Sequence, residues 1–413
     1  MQNIKNFDQD LYEIIEKEKI RQIENLELIP SENYVSKAVL EALGSILTNK
    51  YAEGYYNKRY YGGCENIDEI ENLAINRAKE LFGAEHVNVQ PLSGAPANIA
   101  VYFALLKPKD KILGMDLSHG GHLTHGHPIT HMSKIFEFLR YKTIEETGEI
   151  DYEEIEKIAL KERPKLILVG YSAYSREIDY ERIKHIANKI DAYTMADIAH
   201  IAGIIAGGEM KNPVSLFDVV TTTTHKTLRG PRGGMIMCKE KFAKNIDSSV
   251  FPGLQGGPHE NNIAGKAIAF KEALSDDFKV YAKQMKANAK ALEIELKKLN
   301  YKIAFQKTEN HLLLIDITHK NIGGKEAQIA LDKAGITTNK NMIPNDTRSP
   351  FDPSGIRIGT PAITTRGMKE TEMPFIANCI NKALENTKNE ETLKEIKEEV
   401  KRFSIKFPVP AID

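Results

Sequence analysis

Three short apolar runs, LILVG at 166–170, AYTMADI at 192–198 and FDVVTTTTH at 217–225, follow one another with helical or turn segments such as YERIKHIANKI between them. That alternation constrains the fold more than any other feature. Parallel strands cannot be joined by a tight turn and need a crossover, usually a helix. The runs therefore predict a mostly parallel sheet with helices on its faces, an α/β architecture. A further strand, KILGMDL, precedes them, after a helix through ENIDEIENLAINRAKELFG that stops at Gly83 and a second helix following Pro96.

The chain has 413 residues, 41% of them hydrophobic, enough for more than one core. Its first two dozen residues read as a charged amphipathic helix, an N-terminal arm (1–27) as able to lie on a partner as on its own chain. Residues 28–275 are the expected large domain. A long helical pattern from about 261 to 299 then carries the chain away. Strands KIAFQ and HLLLIDI, with helices near 325–334 and 368–403, predict a smaller α+β domain over 276–413.

Charge and cysteine usage narrow the function classes. With 56 basic and 57 acidic side chains the formal charge is -1, which supplies no field for a polyanion, so nucleic acid is not an expected principal partner. Cys64, Cys238 and Cys379 lie far apart with no CxxC spacing, which argues against a disulfide framework or structural zinc and for a reducing compartment. The N-terminal segment lacks the uninterrupted apolar stretch of a secretory signal, and no segment has the length to cross a membrane. A cytoplasmic location is expected.

In open parallel sheets, ligands gather beyond the carboxyl ends of the strands. There LILVG runs into Ser172, AYTMADI delivers Asp197 and then His200, and FDVVTTTTH delivers His225 and Lys226 before RGPRGG. Pyridoxal phosphate requires a lysine to bind its aldehyde and a carboxylate to keep its ring nitrogen protonated, and Lys226 with Asp197 supplies that pair. On spacing alone, Lys226 reads equally well as a surface lysine and Asp197 as a cap or turn residue. PLSGAPANIA places Ser93, Gly94 and Ala95 at a helix start, where amides and a hydroxyl can hold a phosphate, although such a turn is also a common cap. The glycine-rich GLQGGPHEN is a second loop of this kind, or a flexible turn into the long helix.

Three other stretches carry candidate chemistry. SHGGHLTHGHPITH holds five of the 12 histidines, but no carboxylate sits at ligand spacing and the glycines imply a loop, so no metal is expected. An imidazole stacked on an aromatic cofactor is the competing use, with His122 the choice. NKYAEGYYNKRYYGG gathers Tyr51, Tyr55, Tyr56, Tyr60 and Tyr61 around Glu53, which suits proton transfer at a substrate hydroxyl or an aromatic interface patch. In SGIRIGTPAITTRG, Arg357 closes an apolar strand and suits a substrate carboxylate, while Arg366 is expected to be solvated.

Taken in order, LELIPSENYVS, YAEGYYNKRYYGG, SHGGHLTHG, ADIAHIAG, TTTTHKTLRGPRGG, FPGLQGGP and SGIRIGTPAITTRG closely resemble the serine hydroxymethyltransferases, through nearly the whole chain. The resemblance implies a fold-type I pyridoxal-phosphate enzyme, at least a homodimer, converting L-serine and tetrahydrofolate to glycine and 5,10-methylenetetrahydrofolate through a quinonoid intermediate. It implies a covalent cofactor on Lys226, Asp197 on the ring nitrogen, His122 stacked on the ring, and His200 and Ser172 near the phenolic oxygen. Phosphate contacts would come from Ser93, Gly94 and His225, with Tyr51 and Gly257 from the neighbouring subunit. Arg357 and Ser31 would bind the amino-acid carboxylate, and the partner's Glu53 and Tyr61 would face the serine hydroxyl. Folate would lie near Leu117, Gly121, His122, Leu123, Asn341 and the turn of Ser349, Pro350 and Phe351. Leu92 and Pro96 depart from the family's histidine and glutamine beside Ser93–Gly94, and His259 stands where an apolar residue is usual, so cofactor affinity is expected to change rather than vanish.

Two rivals stay open at this point. A threonine aldolase-type lyase would share Lys226 and Asp197 but not need the folate residues. An RNA-binding protein would use RGPRGG and YYNKRYY, against the balanced charge.

Overall fold

The computed structural model describes residues 1–412. Its centre is a sheet of β1 (His86–Asn88), β2 (Lys111–Met115), β3 (Glu137–Tyr141), β4 (Leu166–Gly170), β5 (Tyr193–Asp197), β6 (Val219–Thr223) and β7 (Gly234–Cys238). Across the sheet they run β1-β7-β6-β5-β4-β2-β3. All are parallel except β7, which lies antiparallel between β1 and β6. The mostly parallel sheet predicted from the apolar runs is therefore present. β1, β3 and β7 were not among the predicted strands: each is a short run, and MIMC in β7 cannot be told from a loop once the preceding glycines are read as a turn.

Both faces of the sheet are buried, as crossover helices require. Leu113, Ile167, Val169, Ala196, Val220 and Met235 point into one core, while Ile112, Leu166, Leu168, Met195, Val219 and Ile236 point into the other. The strict alternation between the two sets pins the strand register, because a one-residue slip would exchange the faces. At the carboxyl ends this register places Asp197 beside Gly170 and Thr221.

A second sheet, order β8-β9-β11-β10, is antiparallel and consists of β8 (Lys302–Ile303), β9 (Leu312–Asp316), β10 (Asn339–Asn341) and β11 (Gly355–Gly359). Its core takes Leu313, Ile315, Ile356 and Ile358 together with Leu26 and Leu28 from the N-terminal region. KIAFQ is a strand only at Lys302–Ile303, with one further bond from the Ala304 amide to the Leu314 carbonyl, because Phe305 and Gln306 turn into the left-handed region at φ 59° and 67°.

The long helical pattern from about 261 to 299 is broken into two helices, Glu260–Ala273 and Asp276–Lys298. The break is a capping event: the Ser275 hydroxyl accepts from the Phe278 amide and starts a new helix. The expected helix over 368–403 is likewise interrupted into Met373–Glu385 and Glu390–Ser404, with Asn389 capping the second by accepting from the Thr392 amide. Asp276–Lys298 bridges the two cores, burying Phe278, Tyr281 and Met285 in one and Ala289, Leu292 and Leu296 in the other.

Arg366 corrects another expectation. It is only 3% exposed, and its guanidinium donates to the carbonyls of Gln22, Ile23, Asn25, Ser404 and Phe407. These acceptors come from segments remote in sequence, and an arginine's five donors can tie such chain ends together. Among the described residues, no helix is long and apolar enough to cross a membrane, and no cluster of side chains has the make-up of a metal site.

Candidate active site

A cavity of about 380 Å³ opens beyond the carboxyl ends of β4, β5 and β6. Three backbone devices build it. Gly170 ends β4 at φ 133°, a conformation suited to glycine, and a side chain there would strike Asp197. Asp197 is the last residue of β5. After β6 the chain makes a tight loop through Thr224, whose amide bonds Gly233 and whose hydroxyl donates to the Pro231 carbonyl at 2.6 Å. Thr227 then accepts from the Gly203 amide and donates to the His200 carbonyl. Lys226 is thus gripped on both sides by buried threonines.

Burial lowers the Lys226 ammonium to about 8, against the pull of Asp197, with Arg357 and Arg232 lowering it further. An amine in that range is partly unprotonated at neutral pH and can attack a carbonyl. Burial pushes the Asp197 carboxyl up, but His125, His122 and Asn98 outweigh it and hold the group well below the usual carboxylate range. The contacts are a 2.8 Å bond from the Asn98 amide and a 3.0 Å contact with His125 Nε2 on one oxygen, and the Ala199 amide at 3.0 Å on the other. Asp197 is therefore a fixed negative charge at the cavity floor.

His122 forms part of the wall, its Nδ1 2.8 Å from the Thr124 hydroxyl. Burial and neighbouring cations lower it to about 4, so it is a neutral, flat surface at physiological pH. His200 is buried with Nδ1 3.4 Å from His311 Nε2, and burial lowers both imidazoles. His225 Nδ1 accepts from the Gly233 amide at 3.3 Å, and burial with Lys226 and Arg232 nearby lowers the ring to about 3.

Ser93 precedes the helix Gly94–Leu105 and makes no side-chain cap bond, so its hydroxyl and the first amides remain free at the positive helix end. A side chain on Gly94 would come 2.8 Å from Thr223 Cγ2, which shows how closely the helix start abuts β6. Pro96 lies in the first turn and removes one amide donor without breaking a helical bond. Leu92 is exposed and its amide is held by the Gln255 side chain. Neither departure removes the Ser93 hydroxyl or the Gly94 and Ala95 amides from the helix start.

Arg357 sits in β11 with Nε on Asn339 Oδ1 at 3.0 Å and one terminal nitrogen on the Ser172 hydroxyl at 2.9 Å and carbonyl at 2.5 Å. Burial lowers it to about 10, where it is still a cation at neutral pH. Ser31 lines the cavity as well.

Other predicted residues lie elsewhere in the same chain. Tyr51, Glu53, Tyr61 and Gly257 form a separate exposed corner. Tyr51 Oη is 3.3 Å from Glu53 Oε1, the Tyr51 and Tyr61 rings meet edge to face at 5.2 Å, and Tyr51 packs on Gly257. Leu117, Gly121, Leu123, Asn341, Ser349, Pro350 and Phe351 do not line the cavity either, and Phe351 is 84% exposed. Of the expected set, Lys226, Asp197, His122, His200, His225, Ser172, Ser93, Gly94, Arg357 and Ser31 come together around one space.

Several residues there were missed. His125 was overlooked in favour of His122, although both belong to the same histidine run. Asn98 and Thr124 bond to one another at 2.9 Å and support Asp197 and His122, and the signal for Asn98 was a lone amide inside the apolar helix GAPANIAVYFAL. Arg232, Tyr171, Glu32, Ala199 and Thr223 also line the cavity.

A lysine able to capture an aldehyde, a fixed carboxylate, an anion cradle at a helix start and a buried arginine all face this cavity. A family model described as serine hydroxymethyltransferase matches residues 4–380 of the chain.

Proposed function

We propose, from the premise that this chain belongs to the serine hydroxymethyltransferase family and is a pyridoxal-phosphate-dependent one-carbon transferase, that it interconverts L-serine and tetrahydrofolate with glycine and 5,10-methylenetetrahydrofolate. The fold is the fold-type I arrangement of that class. The observation that carries the reading is the convergence of Lys226, Asp197 and Arg357 on one cavity.

When bound, pyridoxal phosphate supplies an electron sink for negative charge developed at the amino-acid α-carbon. Lys226 provides the amine that the cofactor's aldehyde requires. Asp197, kept ionised by His125 and Asn98, holds a proton on the ring nitrogen. His122 offers its neutral face to the ring, and His200 with Ser172 borders the phenolic side. Ser93, Gly94 and His225 hold the phosphate. Arg357, levelled by Asn339 and Ser172, takes the serine carboxylate with help from Ser31, which orients the Cα substituents for cleavage.

The exposed corner supplies the rest from a second copy. In a homodimer, Glu53 and Tyr61 of one chain face the serine hydroxyl bound in the other and hold or deliver its proton. Tyr51 and Gly257 reach the neighbour's phosphate. Tetrahydrofolate lies along Leu117, Gly121, His122 and Leu123 and against Asn341, Ser349, Pro350 and Phe351. We place the working units at 1–27, 28–275 and 276–413 and the enzyme in the cytoplasm.

The test is the purified protein's spectrum. Reconstitution with pyridoxal phosphate is expected to give a visible band that borohydride bleaches, leaving the pyridoxyl group on the peptide bearing Lys226. A colourless protein without that adduct defeats the reading. Serine cleavage that proceeds equally well without tetrahydrofolate supports a threonine aldolase-type lyase instead. RNA binding finds no support in Arg229, whose guanidinium stacks 4.4 Å from the Tyr281 ring centroid rather than facing outward.

A further inference from the structure

Beneath the Ser93–Gly94 turn lies a cation that the reaction does not use. Lys266, on the helix Glu260–Ala273, is 1% exposed. Its ammonium donates to the carbonyls of Val89 at 2.6 Å, Gly234 at 2.9 Å and Pro91 at 3.1 Å. An ammonium has three protons and no acceptor, so three carbonyls satisfy it only in the charged form. Burial lowers Lys266 to about 7, while Glu71 and Glu260, both buried nearby, pull it back up through space and the three carbonyls favour its charged form. Glu71 is occupied by Arg59 and Gln90, while neither oxygen of Glu260 has a hydrogen-bond partner.

The three carbonyls belong to the segment after β1 and to the start of β7, which flank the Ser93–Gly94 turn. Val89 and Pro91 lie on the path from β1 into Ser93. Gly234 begins β7, and its amide bonds the same Pro91 carbonyl at 2.9 Å. A side chain at Gly234 would strike the Ser93 carbonyl, and one at Gly233 would strike the Lys266 stem. Gly233 in turn donates to His225. One ammonium therefore sets the peptide planes leading into Ser93 and those beside His225. A buried charge is a costly way to hold two strands together, since apolar side chains of similar volume serve that purpose as well or better. What a cation adds is fixed carbonyl direction.

We propose that Lys266 is a positioning residue for the phosphate end of the cofactor, acting through the Ser93–Gly94 turn and His225; the proposal rests on the functional reading above. Its signature is selectivity for the phosphate itself. Pyridoxal has the same ring and aldehyde and lacks only that group, so a loosened cradle weakens pyridoxal phosphate and leaves pyridoxal unaffected.

The experiment titrates apoprotein with each compound, following the visible band. Wild type is expected to prefer pyridoxal phosphate strongly. Lys266→Met is expected to lose roughly tenfold or more in affinity for pyridoxal phosphate, the value of a charge-supported hydrogen-bond set, with pyridoxal affinity within about twofold of wild type. Lys266→Arg, which keeps the charge but not the compact three-donor geometry, is expected to fall between, and it carries the test if the methionine variant does not fold. Equal losses for both compounds, or no loss for either, overturn the proposal. A wild-type protein that takes up neither compound overturns the functional reading on which it stands.

Discussion

Beside Lys226, the polar atoms of Asp197 and Arg357 are matched inside the chain: the Asp197 oxygens meet Asn98, His125 and the Ala199 amide, and Arg357 is held by Asn339 and Ser172. Around Glu53 they are not. Tyr51, Tyr60 and Tyr61 stand 56%, 74% and 48% exposed, and the Glu53 carboxyl meets only the Tyr51 hydroxyl. A preorganised cavity needs its supports fixed before substrate arrives. A surface rich in tyrosine with one acid is instead the composition of a contact that another molecule completes. In the proposed dimer, the finished half of one chain's site meets the unfinished half of the other's.

The largest expected effect breaks the finished half. Lys226→Ala is expected to abolish the borohydride-fixed adduct and lower turnover by at least about 10³-fold. Glu53→Gln is expected to keep the adduct and lose turnover by about 10²-fold, the scale of one acid–base group. Refolded together, the two inactive proteins give hybrid dimers in which one site has both groups intact. Recovery of about a quarter of wild-type activity is expected if halves are exchanged across a twofold axis, and no recovery if each chain uses its own Glu53.

Next in size, Arg357→Ala is expected to raise the serine KM by about 10²-fold, equivalent to a charge-assisted pair of some 2–3 kcal/mol, while leaving the cofactor's colour unchanged. Absorbance of the holoenzyme during serine titration separates the two. Smaller again, the rate at which apoprotein captures the cofactor is expected to rise with pH through about 8 and then level, because Lys226 reacts as the free amine. Had Lys226 been an ordinary exposed lysine, the rise would continue toward its usual value near 10.5. The same shift has a stability sign: between those two pH values the unfolded chain carries a proton that the folded one lacks, so this group's contribution to apoprotein stability grows as pH rises. His125→Gln is expected to have the smallest effect, a several-fold drop in turnover with the spectrum displaced, since Asn98 and the Ala199 amide still hold Asp197.

The same contrast explains what was legible in the sequence. β4, β5 and β6 announced themselves as apolar runs, and Lys226 and Asp197 stood where such runs end. Asn98, Thr124 and His125 did not, because a buried supporting group looks like any helix or loop residue until its partner is known. Arg366 was misread because TTRG resembles an exposed turn, whereas the carbonyls that bury it come from remote segments. Tyr51, Glu53 and Tyr61 were visible as a cluster suited to proton transfer or to an interface, and the residues alone did not choose between the two, since their proposed partner residues lie in another molecule. Ser275 and Asn389, which split the two long helices, are short polar residues whose capping competes with helix continuation only once the flanking turns are set.

Three carbonyls converging on one positive charge is also how proteins hold loosely hydrated monovalent ions such as potassium or ammonium. In this chain the ion is tethered, since Lys266 brings it on its own side chain. A free ion would make the cradle sensitive to the salts around it; a tethered one makes the geometry independent of which cations the medium contains. Truncating the tether exposes the dependence again: Lys266→Gly is expected to lose affinity for pyridoxal phosphate and to regain part of it when ammonium or methylammonium is added, with sodium less effective.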